Sequence, residues 1–518
     1  MNKIQSFSYG VVCVVGTALF AFLTLASFVF TQYMPLLAQE RPINRMDTLP
    51  GNLLTVAVFL LLIFGLKRLE GRVPERVARS AECFLVAAAV LWVVGWGGWW
   101  INSLDRVPEG DQAFLCAAAT YFMEGDYSFL GAGGYCQIYP HQLGLIAFLE
   151  LFFSVVGKNN YLAFEWLNVF FAAASVFLGY RFLREMELAR TARILYCLLI
   201  MGCVPLIFYT SWVYGDIPSI FFTMLAVSLA VRYQKRRRWS CLVGMVLSGV
   251  CAVLVRKNSL ILLIALLILS VLYALRNRKG QLLLAAIAAV VLSLLCYQGI
   301  YRMYEYRSGY ELGKGLPVNS WIAMGLEENG GVCGWYNNMP KEVLNSLELD
   351  YAATETVMKE TIGERLRYFA AEPKQAVRFF GKKILSQWND PLYQSLYFSA
   401  KSIEENPPET GSLVERLYSA EGEALIGGLA DRMQLLVYLG VLFYFLTVVR
   451  RTEQPLSLLP AVMILGGFFF SVIWEAKARY IFPYYVMMYP LAAAGYDRIA
   501  AKMTRKAVQK RFQRYAAD

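Results

Sequence analysis

The chain has 518 residues, of which 58% are hydrophobic and 17% charged, with a net charge of +11. This composition excludes a soluble enzyme and describes a chain threaded repeatedly through a bilayer. One histidine, His141, rules out a multi-histidine metal site within the chain, and no metal, cofactor or nucleic-acid partner is expected.

In chain order, apolar runs long enough to span lie near 9–31, 51–66, 83–101, 161–180, 194–210, 216–232, 240–255, 259–275, 281–300, 433–449, 455–474 and 480–497. Lys3 precedes the first run, which lacks a small-residue cleavage site and reads as a retained span. The loops 67–79, 181–193, 232–239, 276–280 and 450–454 and the tail 502–515 are all basic. Twelve crossings with the amino terminus inside put every one of them on the cytoplasmic side. The run YPHQLGLIAFLELFFSVVG at 139–157 breaks the pattern. As a full crossing it would send RRRW outside, so a half-inserted or surface-lying helix is expected there.

Three regions follow. Residues 1–300 form an amino-terminal membrane region with an outer loop at 102–160. Residues 301–432 form an α-rich extracytoplasmic module, and 433–518 hold the last spans and a basic tail. The module has 14 Lys and Arg against 19 Asp and Glu, the reverse of the rest of the chain. Its stretch 342–388 has helical spacing throughout. Ten cysteines are scattered without a CxxC pair. Cys116, Cys136 and Cys333 fall in outer loops, where a disulfide between two of them is open.

The chemistry-bearing residues sit in outer turns. Arg256, Lys257 and Asn258 interrupt two apolar runs, and cations in a short outer turn run against the positive-inside rule. Snorkelling beside lipid phosphates is the bland account; a bound anion is the sharper one. A second such turn, WEAKARY, carries Glu475, Lys477, Arg479 and Tyr480. If helical, it would pair Glu475 with Arg479 at i,i+4. Asp111 precedes a predicted helix and reads equally as an N-cap or a catalytic carboxylate, with Asp105 and Glu109 as rivals. Asp126 in EGDYS reads as turn chemistry. YGDIP holds Tyr214 and Asp216, the latter also a capping residue. Tyr139, His141 and Gln142 in YPHQLG and Trp388 and Asn389 in QWNDP are further substrate-binding candidates, aromatic faces and amides suiting sugar rings.

Taken in order, the outer-loop Asp, YPHQLG, YGDIP, RKN, the large outer module and WEAKARY resemble polytopic glycosyltransferases of the GT-C fold class. The resemblance is strongest to the bacterial branch akin to protein O-mannosyltransferases and the aminoarabinose transferase of lipid A. It runs from about the third span to the end, and the first two spans look like an addition. It implies an all-α membrane enzyme taking a sugar from a polyprenyl-phosphate donor to an extracytoplasmic acceptor, with inversion. Asp111 matches the class's outer-loop acid. Arg256, Lys257, Lys477 and Arg479 would hold the departing lipid phosphate. Gln112 follows Asp111 where many relatives carry a second acid, which weakens a metal-dependent reading. A lipid-linked sugar flippase and an oligosaccharide polymerase or ligase are the competing functions.

Overall fold

The computed structural model describes residues 3–36, 40–70, 72–104, 108–448 and 455–515. Asp105 and Arg106 lie outside the described residues. The fold is all-α and polytopic. Among the described residues nine helices are long and apolar enough to cross a membrane, or up to eleven with two bent pairs.

The three remaining expected spans depart from a straight apolar rod for physical reasons. The 194–210 run bends by 59° between Arg190–Met201 and Val204–Ser211, where Gly202 and Pro205 interrupt the helical ladder. The 240–255 run is a 17-residue helix, Trp239–Val255. The last run opens the helix Phe482–Tyr515. Nearly every residue from Tyr484 to Asp497 is buried, among them Tyr485, Tyr489 and Tyr496. A helix sheathed by protein can carry hydroxyls, so its hydropathy falls below that of its lipid-facing neighbours. The 139–157 run is bent by 99° at Tyr139–Pro140 and does not continue straight into the segment before it.

α1 (Lys3–Val29) packs on the helix Ala420–Thr447, where Phe20 stacks on Phe445. It leads into β1 (Phe30–Tyr33), which pairs antiparallel with β2 (Ile43–Met46) before α2 (Leu49–Leu69) returns. α3 (Glu75–Asn102) ends in a tryptophan-rich turn. Its Trp100 is fully buried and donates Nε1–H to Ser211 Oγ at 2.9 Å. α4 (Asp111–Glu124) then lies over the helix Leu143–Val156.

The segment expected to form an outer module begins where the helix Gln281–Ser308 ends and closes where Ala420–Thr447 begins, so both flanking helices overrun the limits read from hydropathy. The continuous helical spacing over 342–388 resolves into three helices, Met339–Ser346, Tyr351–Ala371 and Pro373–Trp388. Asp350 caps the second by accepting from Ala352 N and Ala353 N at 2.8 and 3.0 Å, and Pro373 opens the third. A short hairpin, β3 (Glu328–Asn329) and β4 (Val332–Cys333), leads to Trp335, which bridges to Ala476 between the last two spans. Lys383 is fully buried. Its Nζ donates to Gly325 O at 2.5 Å and to Val472 O at 2.9 Å, at the carboxyl ends of two different helices. Burial pulls its ammonium down to about 7. The cysteines at 116, 136 and 333 are free and buried, so no disulfide forms between them.

Candidate functional site

Five turns separated by hundreds of residues meet at one end of the bundle. Gly110, with φ 56°, turns the chain into α4, and Asp111 follows as its first helical residue without a side-chain capping bond. The carboxylate is therefore not spent on the helix end. It is half-exposed, and its Oδ2 lies 3.9 Å from an Arg479 nitrogen whose side chain is only 4% exposed. The next residue, Gln112, is buried and accepts from Val213 N at 3.0 Å, tying the start of α4 to the 212–215 turn.

That turn presents Tyr214 and Asp216. Asp216 forms a buried ion pair with Arg256, whose guanidinium also lies 5.7 Å from the Tyr480 ring. Two glycines allow the approach. A Cβ on Gly215 would strike the carbonyl of Val255, and one on Gly144 that of Leu254, so the RKN turn docks backbone to backbone on its neighbours. Gln142 Nε2 donates to Tyr214 Oη at 2.6 Å.

The WEAKARY turn is not a helix. Ala476 N donates to Gly334 O at 2.7 Å in the bridge, and a 3-10 turn follows over Ala478–Tyr480. The i,i+4 pairing of Glu475 with Arg479 is thereby overturned; Arg479 turns instead to Asp111 and to the rings of Tyr214, Trp212 and Phe398 at 4.9, 5.5 and 5.2 Å. Lys477 pairs with Glu40 at 3.3 Å. Glu475 is 3% exposed, and burial pushes its carboxyl up to about 7 despite the nearby Lys477 and Arg479 charges.

The remaining candidates fall around or behind this cluster. Lys257 is exposed at the start of the turn Lys257–Ser259, which includes Asn258, with its ammonium 5.7 Å from the Tyr297 ring. Tyr297 donates to His141 O at 2.6 Å. The His141 ring stands edge-on to Trp321 and Tyr139, and burial pulls it down to about 3, so it is neutral. Trp388 and Asn389 are buried. Trp388 donates to Ser471 Oγ at 3.0 Å, and Asn389 Nδ2 to Phe30 O at 2.6 Å. Both tie elements together rather than offering a face to a ligand. Asp126 accepts from Ser128 N at 2.8 Å, ordinary turn chemistry.

No group of three or more metal-ligating side chains occurs among the described residues.

Residues 11–368 match the family model described as Conserved hypothetical integral membrane protein. The chain belongs to that family. It is a multi-pass integral membrane protein, as its helices require. A solved structure, the archaeal oligosaccharyltransferase AglB from Archaeoglobus fulgidus in complex with an inhibitory peptide and a dolichol-phosphate, is similar at 12% identity and a TM-score of 0.42. The likeness covers 85% of this chain and 52% of that one, so this chain spans about half the length of that enzyme. A likeness this faint fixes neither chemistry nor substrate. No curated protein matches the chain.

Three members of the cluster escaped sequence reasoning. Glu40 sits in the loop between the first two spans, and its partner Lys477 is 437 positions away. Gln112 registered only as a missing acid. Gln394 donates to Glu40 Oε1 at 2.7 Å and accepts from Arg479 N at 3.2 Å. The one legible signal for it is the polar pattern NDPLYQ, which bends through left-handed Tyr393 and Gln394.

Proposed function

We propose that this chain is a membrane glycosyltransferase of the GT-C kind. It moves a sugar from a polyprenyl-phosphate-linked donor to an extracytoplasmic acceptor, a wall polymer, glycolipid or protein. The branch of bacterial enzymes akin to protein O-mannosyltransferases is the nearest chemistry. The observation that carries the reading is the pairing of Asp111 with Arg479 at one end of the bundle, with Arg256, Lys477 and Lys257 in nearby turns that are remote in sequence.

In this reading the acceptor hydroxyl attacks the anomeric carbon and Asp111 takes its proton. The bond from that carbon to the phosphate oxygen breaks, and the electron pair leaves with the lipid phosphate. Its charge grows by one unit as it departs, and fixed cations favour the more charged state. Arg256, Lys477 and Arg479 each have a carboxylate partner at rest, which holds them in place. Lys257 is exposed and takes the phosphate first. Tyr214, Tyr480, Tyr139 and Gln142 line the approach, with Asn258 and Glu475 at its edge. The active face is the extracytoplasmic one by the distribution of basic loops.

The test is release of polyprenyl phosphate from a panel of labelled polyprenyl-phosphate sugars by purified protein with cell-envelope acceptors, wild type against Asp111→Asn. Release with one donor that depends on Asp111 supports the transferase and names its sugar. Movement of intact lipid-linked sugar across vesicles, with no bond cleaved, would replace this reading with a flippase.

A further inference from the structure

A second polar cavity lies beside the cluster, separated from it by the Gln394 side chain, which lines the cavity and also binds Glu40 and the Arg479 backbone. Its volume is about 190 Å³. The walls are the β1–β2 hairpin, the turn after Asp390 and the start of the helix Ala420–Thr447. Half of it is thus built by the amino-terminal addition.

The cavity carries an unpaid proton. Thr31 Oγ1 lies 2.8 Å from Asp47 Oδ1 and 2.8 Å from Asp431 Oδ1. A hydroxyl has one hydrogen, so it satisfies one carboxylate and faces the other with a lone pair. Asp431 is 6% exposed, and Asp47 Oδ2 is buried without a hydrogen-bond partner. Burial pushes the Asp47 carboxyl up, past the lowering by Thr31, Arg45, Asn52 and Arg432. Two carboxylates that share one hydroxyl hydrogen, one of them buried, gain from a further donor placed between them. Glu423 and Asp390 add to the acidic wall, while Arg45 and Arg432 line the same space.

The geometry points to this cavity as a binding site for a zwitterion with a primary ammonium and a phosphate, the phosphoethanolamine class. The ammonium's three N–H groups supply the donors that Asp47 and Asp431 lack, and Arg45 and Arg432 suit the phosphate. Leu36, Leu392 and Leu396 form an apolar wall, as a lipid headgroup entering from a leaflet would need. Such a ligand reaches the site either as a phospholipid headgroup or free in solution. The assignment uses none of the residues given a part in sugar transfer and stands apart from that reading.

The test uses the full chain purified in detergent, with calorimetric titration of O-phosphoethanolamine and of phosphocholine. In parallel, the chain is placed in nanodiscs of phosphatidylethanolamine or phosphatidylcholine, each mixed with phosphatidylglycerol, and retained lipid is counted by native mass spectrometry. Saturable binding of the ethanolamine forms is expected, with phosphocholine roughly tenfold weaker because its quaternary nitrogen has no N–H. Binding of the lipid alone identifies a headgroup site; binding of both forms shows that the headgroup suffices. Asp431→Asn and Arg432→Gln should each weaken binding by about tenfold while leaving donor release intact. Equal affinity for phosphocholine, no binding of either ethanolamine form, or unchanged affinity in both variants of a folded protein overturns the assignment. Loss of donor release in the wild type would instead count against the transferase alone.

Discussion

Neutralising Asp111 should push catalysis and donor binding in opposite directions. The carboxylate is 3.9 Å from the Arg479 guanidinium, with side-chain exposures of 49% and 4%. At that separation the attraction is about 1 kcal/mol in water and about 4 kcal/mol at the effective dielectric of a protein surface. Half-exposure of Asp111 puts the operative value near the lower figure. Asp111→Asn keeps the shape and removes the negative charge, so Arg479 has that much more to offer a phosphate. Donor affinity should rise about fivefold, corresponding to ~1 kcal/mol. Turnover should fall by roughly 10²–10⁴, the usual contribution of a general base. The assay is paired: binding of a labelled polyprenyl-phosphate sugar by the purified variant, and single-turnover release of polyprenyl phosphate. Near-normal turnover removes Asp111 from the base role. Donor binding that weakens alongside turnover would mean that Asp111 organises the site instead, and the electrostatic reasoning fails.

Three further outcomes follow from the same geometry. Asp216→Asn leaves Arg256 buried without its counter-charge and should cost about 3–5 kcal/mol, much of it restored in Asp216→Asn with Arg256→Gln. Additive losses in a thermal-unfolding double-mutant cycle would deny the pair. Gly215→Ala should push the Val255 carbonyl, and the RKN turn that follows it, away from residue 215 and weaken donor binding; an unchanged donor affinity would show that the close approach does not position Arg256. Glu475 has a folded pKa of about 7 against an ordinary 4.5, so the folded state holds its proton more tightly than the unfolded chain does. Its contribution is fully present below pH 4.5, falls as pH rises, and is lost above about 7, by ~3 kcal/mol at most. Glu475→Gln should flatten that slope between pH 4.5 and 7.5, and a wild-type slope that persists in the variant assigns it elsewhere.

The spans were legible because hydropathy and loop charge are properties of local sequence. Loop charge set the 139–157 run apart from the straight crossings, but the 99° bend where it meets the preceding segment was not read from the sequence. The run at 480–497 was read as apolar, and it opens the helix Phe482–Tyr515. Which polar residues fall in turns between apolar runs was also readable, but their pairings were not. Asp216 had capping as its first account, and only the folded chain sets it against Arg256. Glu475 and Arg479 look like helical partners until the bridge from Trp335 to Ala476 holds the turn extended. Trp388 and Asn389 looked like a sugar platform, yet both are consumed by core contacts. Lys383 passed unnoticed although it sits on the apolar side of its helix, four residues after Phe379.

The buried Lys383 decides how the outer module moves. Swinging the 309–419 segment away would break the bond to Val472 O and leave the buried ammonium with Gly325 O alone, which lies in the same segment. Parting that segment from the last spans therefore costs this bond. Restraining Lys383 further, or freeing it by Lys383→Met, should then alter the protein's stability far more than the rate at which a donor gets in.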